Sequence, residues 1–248
     1  MKPLRAAWTL ARVLWHALAG FLTIVFRFPR LSTEDRQARV QAWARDMLRV
    51  LGLQLRIVGE PVASGPTLIV CNHISWLDIL ALHAARYCRF VSKADVHHWP
   101  LIGRMATGAG TLYIERESRR DALRVVHHMT DSLRSGDVLA VFPEGTTSDG
   151  ESLLPFHANL LQAAIAADVP VQPVALGFLD AHTGQRSLAP CYIGDDTLAG
   201  SLWRTLTGGP IVVVVHFGTP QSCAGRDRRA WAADLRVAVD QLRQFPPG

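Results

Sequence analysis

Short apolar runs of strand length recur along this chain, separated by stretches whose apolar residues return at helical spacing. The runs are Gln54–Val58, Leu68–Cys71, Arg89–Ser92, Thr111–Ile114, Val138–Phe142, Val171–Leu176 and Ile211–Phe217. Between several of them, Ile79–Ala85, Arg119–Leu133 and Asn159–Ala167 carry helical patterns. Strands alternating with helices predict an α/β fold: a mixed, largely buried sheet of about seven strands flanked by helices. Ile211–Phe217 is the most continuous run and is expected at the centre of the sheet. Near the C-terminus, Arg226 to Phe245 places Trp231, Leu235, Val239 and Leu242 on one face, as suits a helix packed on the sheet.

The first residues follow another pattern. Lys2, Arg5, Arg12, Arg27 and Arg30 flank or interrupt an apolar body that holds Trp8, Trp15, Phe21 and Phe26. Its cleanest part, Val13 to Phe26, falls short of the roughly twenty residues of a full span. A cleavable leader fits poorly, because apolar sequence continues beyond Ala17-Leu18-Ala19. The expectation is a helix lying in a membrane interface, basic residues toward headgroups and Trp and Phe toward acyl chains. Packing on the domain and a tilted single span are the alternatives. Thr33-Glu34-Asp35 then opens a charged helical stretch to about Leu51, with Val40, Trp43, Ala44, Met47 and Leu48 at helical spacing. The organisation expected is a membrane-associated helical segment over residues 1–50 and an α/β domain over 51–248.

Composition sharpens this picture in two respects. A formal charge of +5 with 49% hydrophobic residues favours an anionic partner, such as an acidic lipid surface or a phosphorylated substrate. No nucleic-acid partner is expected, since no ribonucleoprotein motif, zinc-finger spacing or long basic run appears. The cysteines Cys71, Cys88, Cys191 and Cys223 are scattered without a C-x-x-C, so buried thiols in a reducing compartment are expected.

The candidate chemistry lies just after two strand-like runs. His73 and Asp78 follow Leu68–Cys71; five positions apart on a helix, their side chains would point about 140° apart. They meet only if His73 sits in the turn out of the strand and Asp78 in the first helical turn. Ser75-x-x-Asp78 before Ile79-Leu80-Ala81-Leu82 is a capping-box pattern that places them so. A histidine beside a carboxylate is a base able to take a proton from an alcohol. Taken alone, Asp78 also fits a plain helix cap. The second block, Phe142-Pro143-Glu144-Gly145-Thr146-Thr147-Ser148, reads as a tight turn, by itself a plain surface turn. It follows an apolar strand, where α/β sheets expose functional loops, and its small hydroxyl residues could bond a phosphate or headgroup. Between them, Arg116 ends the run after Gly110 and suits a phosphate clamp, although a lone arginine is more often a surface ion-pair partner. The histidines show no H-E-x-x-H and no close ligand spacing, so no metal is expected.

Together, Asn72-His73 with Asp78, Gly110 with Arg116, Phe142-Pro143-Glu144-Gly145-Thr146, and Val169-Pro170-Val171-Gln172-Pro173-Val174 resemble the motif set of the 1-acylglycerol-3-phosphate acyltransferase (lysophosphatidic acid acyltransferase) family. The resemblance covers residues 68 to 176, with the four blocks in order and register. It implies that His73 is the general base, oriented by Asp78, for attack of a lysolipid hydroxyl on the thioester of acyl-CoA or acyl carrier protein. Backbone N–H groups at the helix start after His73 would hold the oxyanion. Arg116, Glu144, Gly145 and Thr146 would position the acceptor headgroup. No metal or prosthetic group is implied. The partners implied are the bilayer, the lysolipid and the acyl donor, on the cytoplasmic face of the inner membrane. The chain departs from the family where Arg often follows F-P-E-G-T, here Thr147, and where Phe-Lys-x-Gly is common, here Phe156-His157-Ala158-Asn159. The acceptor expected is 1-acylglycerol-3-phosphate, with lyso-ornithine lipid or another lysolipid as the alternative. A phospholipid acyl donor or hydrolysis with the same pair is the enzymatic rival; a non-enzymatic lipid-binding protein is the rival of another class.

Overall fold

A computed structural model of the chain describes residues 2–114 and 119–245. Among these residues the strands are β1 (Leu53–Val58), β2 (Thr67–Cys71), β3 (Arg89–Lys93), β4 (Leu112–Ile114), β5 (Val138–Val141), β6 (Val171–Asp180) and β7 (Ile211–Phe217). They form one sheet in the order β1-β7-β6-β2-β5-β3-β4. All neighbours are parallel except β6 and β7, which run antiparallel, so the sheet is mixed as expected.

The helices are α1 (Lys2–Phe26), α2 (Thr33–Leu51), α3 (Leu77–Ala85), α4 (Ile102–Gly108), α5 (Arg119–Arg134), α6 (Leu161–Ala167), α7 (Leu198–Thr207) and α8 (Arg228–Leu242). Strand alternation divides the core into two layers. Ile69, Cys71, Val213 and Val215 pack with Ala44, Met47 and Leu48 of α2 and Ala81 and Leu82 of α3. Leu68, Val70, Leu139 and Val141 pack with Met129 and Leu133 of α5, Leu161 of α6, and Trp231, Leu235 and Val239 of α8. Covering both faces explains why these strands are continuous apolar runs rather than alternating ones.

One expectation fails here. β7 stands second from the edge, and the central strand is β2, buried along its whole length. Unbroken apolarity reports a strand covered on both faces, which a near-edge strand also is when helices overlie it. The Val-Pro block at 169–174 serves the same centre. The Pro170 C=O accepts the Leu68 N–H at 3.1 Å, and β6 then runs beside β2 in the register Val70 to Pro173.

Helix α1 packs lengthwise on the domain. Ala6 and Val13 are buried, Gly20 abuts the Trp43 ring so closely that an added Cβ would fall 2.4 Å from its Nε1, and Ile24 lies on Gly108 of α4. Trp43 Nε1–H donates to the His16 C=O at 3.1 Å, and the two rings stack with centroids 5.3 Å apart. The opposite face carries Leu4, Trp8, Leu14, Trp15, Leu18, Leu22 and Phe26, all exposed. The stretch Leu4–Phe26 is 23 residues, and its most apolar 18 have a mean hydropathy of 1.6, so by length and composition it is able to cross a membrane.

On α3, His83 is buried edge-on to Phe90 at 4.9 Å, and burial lowers its pKa from 6.5 to about 4. An unfolded chain takes up this proton near pH 6.5, the folded chain only near 4. Stability is therefore full above about pH 6.5 and falls as pH drops toward 4, by about 3 kcal/mol in total from this group. Denaturant unfolding across this range is expected to show that loss, and His83→Leu is expected to flatten it.

Candidate active site

The site forms where β2 and β5 end on the same edge of the sheet. As β2 ends, Asn72 replaces the strand ladder with its own amide: Oδ1 accepts the Leu176 N–H at 2.7 Å, and Nδ2 donates to the Leu176 C=O at 3.0 Å. This buried pair of hydrogen bonds fixes the exit direction of the chain into His73.

Asp78, fully buried in the first turn of α3, gathers that exit around one carboxylate oxygen. Its Oδ2 lies 2.7 Å from His73 Nδ1 and accepts the N–H groups of Ile74 at 2.6 Å and Ser75 at 2.9 Å. The capping box is therefore half realised. The carboxylate reaches back to Ser75 as the pattern predicts, whereas the Ser75 hydroxyl takes the Leu77 N–H at 3.2 Å and donates to the Pro190 C=O at 2.6 Å. A carboxylate that only accepts assigns the proton to His73 Nδ1, leaving Nε2 as the free basic nitrogen.

The second loop pins the same histidine from the other side. Glu144 is buried, its Oε1 accepting the His73 N–H and its Oε2 the Leu154 N–H, both at 2.8 Å. Burial raises its pKa, and the two backbone bonds oppose that rise. Ser148 N–H donates to the His73 C=O at 2.9 Å, so both backbone polar groups of His73 are held by this loop. The imidazole stacks on Phe142, ring centroids 3.9 Å apart, with its side chain 19% exposed. Gly145, at φ +73°, makes the tight turn, with its N–H on the Phe142 C=O. Thr146 faces solvent, while the Thr147 hydroxyl is turned to the Tyr192 C=O.

His73 and Asp78 thus meet, and Glu144, Gly145 and Thr146 lie in the turn that backs them. The Glu144 carboxylate is engaged with backbone, which makes its visible work the positioning of His73. Arg116 lies outside the described residues. Gly110, at φ +84°, sits against Arg89, whose Nε–H donates to its C=O at 2.8 Å. Most of the amides at the helix start are engaged: those of Ile74 and Ser75 serve Asp78, that of Leu77 serves the Ser75 hydroxyl, and that of Asp78 serves the Ser75 C=O. Those amides are consumed in capping the helix that carries the carboxylate, which leaves the Trp76 amide as the candidate donor to an oxyanion there.

Sequence reasoning did not assign the roles of Asn72, Phe142 and Ser148. Asn72 stood in the motif, yet an amide that mimics a strand pair is visible only once β6 is beside it. Cys71, directly before this site, is buried, and burial together with the charges of Asp78 and Glu144 pushes its thiol well above the usual range. It stays protonated and is no competing nucleophile.

Residues 54–177 match the family described as Acyltransferase. The chain is 37% identical over 223 residues to the lyso-ornithine lipid O-acyltransferase of Pseudomonas aeruginosa, covering 90% of this chain and 85% of that one. It is 38% identical over 186 residues to the 1-acyl-sn-glycerol-3-phosphate acyltransferase of Neisseria meningitidis serogroup B, covering 74% and 72%. The crystal structure of the 1-acyl-sn-glycerophosphate acyltransferase PlsC from Thermotoga maritima superposes over the whole of both chains with a TM-score of 0.72 at 18% identity.

Proposed function

The chain belongs to the acyltransferase family, and we propose that it moves a fatty acyl group from a thioester, acyl-CoA or acyl carrier protein, to the free hydroxyl of a lysolipid. The observation that carries this is the histidine held at its ring, its N–H and its C=O, with only Nε2 left open. In the reaction the acceptor hydroxyl attacks the thioester carbonyl while Nε2 takes its proton. The tetrahedral intermediate then expels the thiolate, and the imidazolium returns the proton to that sulfur. The products are an ester and a free thiol, and Asp78 steadies the transient positive charge. Arg116 and the turn at Gly145-Thr146 position the acceptor headgroup.

The acceptor we propose first is 1-acylglycerol-3-phosphate, giving phosphatidic acid; the Neisseria relative bears the name of that activity. A second acceptor, lyso-ornithine lipid, is favoured by a specific observation. Position 147 carries a threonine whose hydroxyl is bound to Tyr192, and position 157 a histidine, where the family often places cations. The Pseudomonas relative bears the name of that second activity. Detergent-purified protein given labelled acyl-CoA or acyl carrier protein and a lysolipid panel is expected to acylate lysophosphatidic acid. Product only with lyso-ornithine lipid would move the acceptor and keep the chemistry. No product with any acceptor and either donor would overturn the proposal.

Exposed apolar residues on one face of α1, with Arg5 and Arg12 exposed beside them, support a helix lying in the bilayer interface while its other face packs on the domain. The cytoplasmic leaflet suits both the soluble acyl donors and the net positive charge.

A further inference from the structure

We infer that the turn Trp99–Ile102 is a second membrane-inserting element, set at the edge of the sheet where the catalytic histidine emerges. It rests on the interfacial position proposed for α1.

The topology places the turn. β2, β5 and β3 are parallel neighbours, so their C-terminal ends share one edge of the sheet. His73 follows β2 and the Glu144 turn follows β5. The chain leaving β3 passes through a 3₁₀ turn, Ala94–His98, into Trp99-Pro100-Leu101-Ile102 and then α4.

Trp99 is 47% exposed, and Leu101 and Ile102 are each 37% exposed. Single exposed apolar residues need no explanation, but three large ones within four positions make a patch. Leu101 also has φ +63° and ψ −58°, a γ-turn closed by the Ile102 N–H on the Pro100 C=O at 2.7 Å and strained for any residue with a Cβ. Packing in the domain therefore gives little reason for a leucine there. The turn is stiff beneath these side chains. Gly103 N–H donates to the Trp99 C=O at 2.9 Å, and Gly103 lies so close to the His97 C=O that an added Cβ would fall 2.2 Å away.

A bilayer fits this patch for two reasons. It lies close to the helix proposed for the interface: α4 runs from the turn to Gly108, which packs against Ile24 on the domain-facing side of α1, about 9 Å along α4 from Ile102. Its fringe is also basic, with Lys93 and Arg104 exposed and Asp95 the one acidic residue from 93 to 104. Tryptophan beside cations is the composition that settles at headgroup depth. Two insertion points would hold the site edge against the bilayer, so that a lysolipid hydroxyl reaches His73 without the lipid leaving it.

The test uses the full chain with vesicles of phosphatidylethanolamine and phosphatidylglycerol. The triple variant Trp99→Ser/Leu101→Asn/Ile102→Gln is expected to partition roughly tenfold or more weakly than wild type. It is expected to keep its turnover of a water-soluble short-chain acceptor. Trp8→Ser/Trp15→Ser serves as the α1 variant and is expected to lose binding too. If the triple variant binds as wild type while the α1 variant does not, the turn proposal falls and the α1 assignment stands. If neither variant loses binding, both fall. If the triple variant instead dissolves a lipid-independent dimer of the wild type, the patch binds a second copy, and the proposal is overturned. Should the triple variant fail to fold, acyl-brominated lipid decides: it is expected to quench less of the fluorescence in Trp99→Phe than in wild type, and equal quenching would overturn the proposal.

Discussion

His73→Ala is expected to lower kcat for acyl transfer by roughly 10²–10⁴-fold, the range in which a positioned general base contributes. The structure makes this a loss of chemistry rather than of folding. Glu144 and Ser148 hold the backbone N–H and C=O of residue 73, and an alanine keeps both bonds. What disappears is the ring stacked on Phe142 and its open Nε2. Single-turnover transfer from a labelled thioester, measured beside thermal unfolding, separates the two. A large rate loss with a nearly unchanged midpoint is the expected pair of results. A non-enzymatic lipid-binding role predicts instead that binding and function survive the substitution.

Asp78→Asn is expected to lower kcat by roughly 10²–10⁴-fold as well, by a different route. All three donors converge on the one oxygen Oδ2, so an asparagine that keeps its oxygen there still accepts from the Ile74 and Ser75 amides and from His73 Nδ1–H. What it loses is the negative charge that steadies the imidazolium in the transition state. Asp78→Ala goes further and strands both buried amides. At about 1–3 kcal/mol for each unpaired group, it is expected to cost roughly 2–6 kcal/mol of stability. Asparagine slow but folded, and alanine slow and unstable, is the pattern to look for in rate and denaturant measurements.

The strands were the most legible part of this chain. Each of the seven runs read from the sequence corresponds to a strand. β2, β5 and β7 stand out because a sheet covered on both faces writes itself as nearly unbroken apolar sequence. β1 and β3 mix in Gln54, Arg56, Arg89 and Ser92 and are only partly buried. Their order was not legible: β7 is as apolar as β2, and only pairing reveals which lies at the centre. Helices α4 and α7 were missed for local reasons. α4 is short and contains Gly103, Thr107 and Gly108, which dilute its periodicity. α7 does show a cap, with Thr197 accepting the Gly200 N–H at 3.1 Å and Leu198, Leu202 and Leu206 recurring at i+4, a signal that could have been used. At the site, His73 and Asp78 were readable because strand exit, capping pattern and motif agreed on one geometry. The grip of Glu144 and Ser148 on His73 was not, since those bonds join loops about seventy residues apart. The number of free amides at the start of α3 was not legible either, because the cap that orients Asp78 uses those of Ile74 and Ser75.

The central claim, that His73 and Asp78 act as one unit in acyl transfer, is tested most directly by a double-mutant cycle. The measurement is kcat/KM for transfer from a labelled acyl thioester to the accepted lysolipid, with wild type, His73→Ala, Asp78→Asn and the double variant. The carboxylate acts only through the imidazole, so the double variant is predicted to fall no more than about threefold below His73→Ala alone. Losses that multiply across the two sites, or a His73→Ala enzyme close to wild type, would contradict the account.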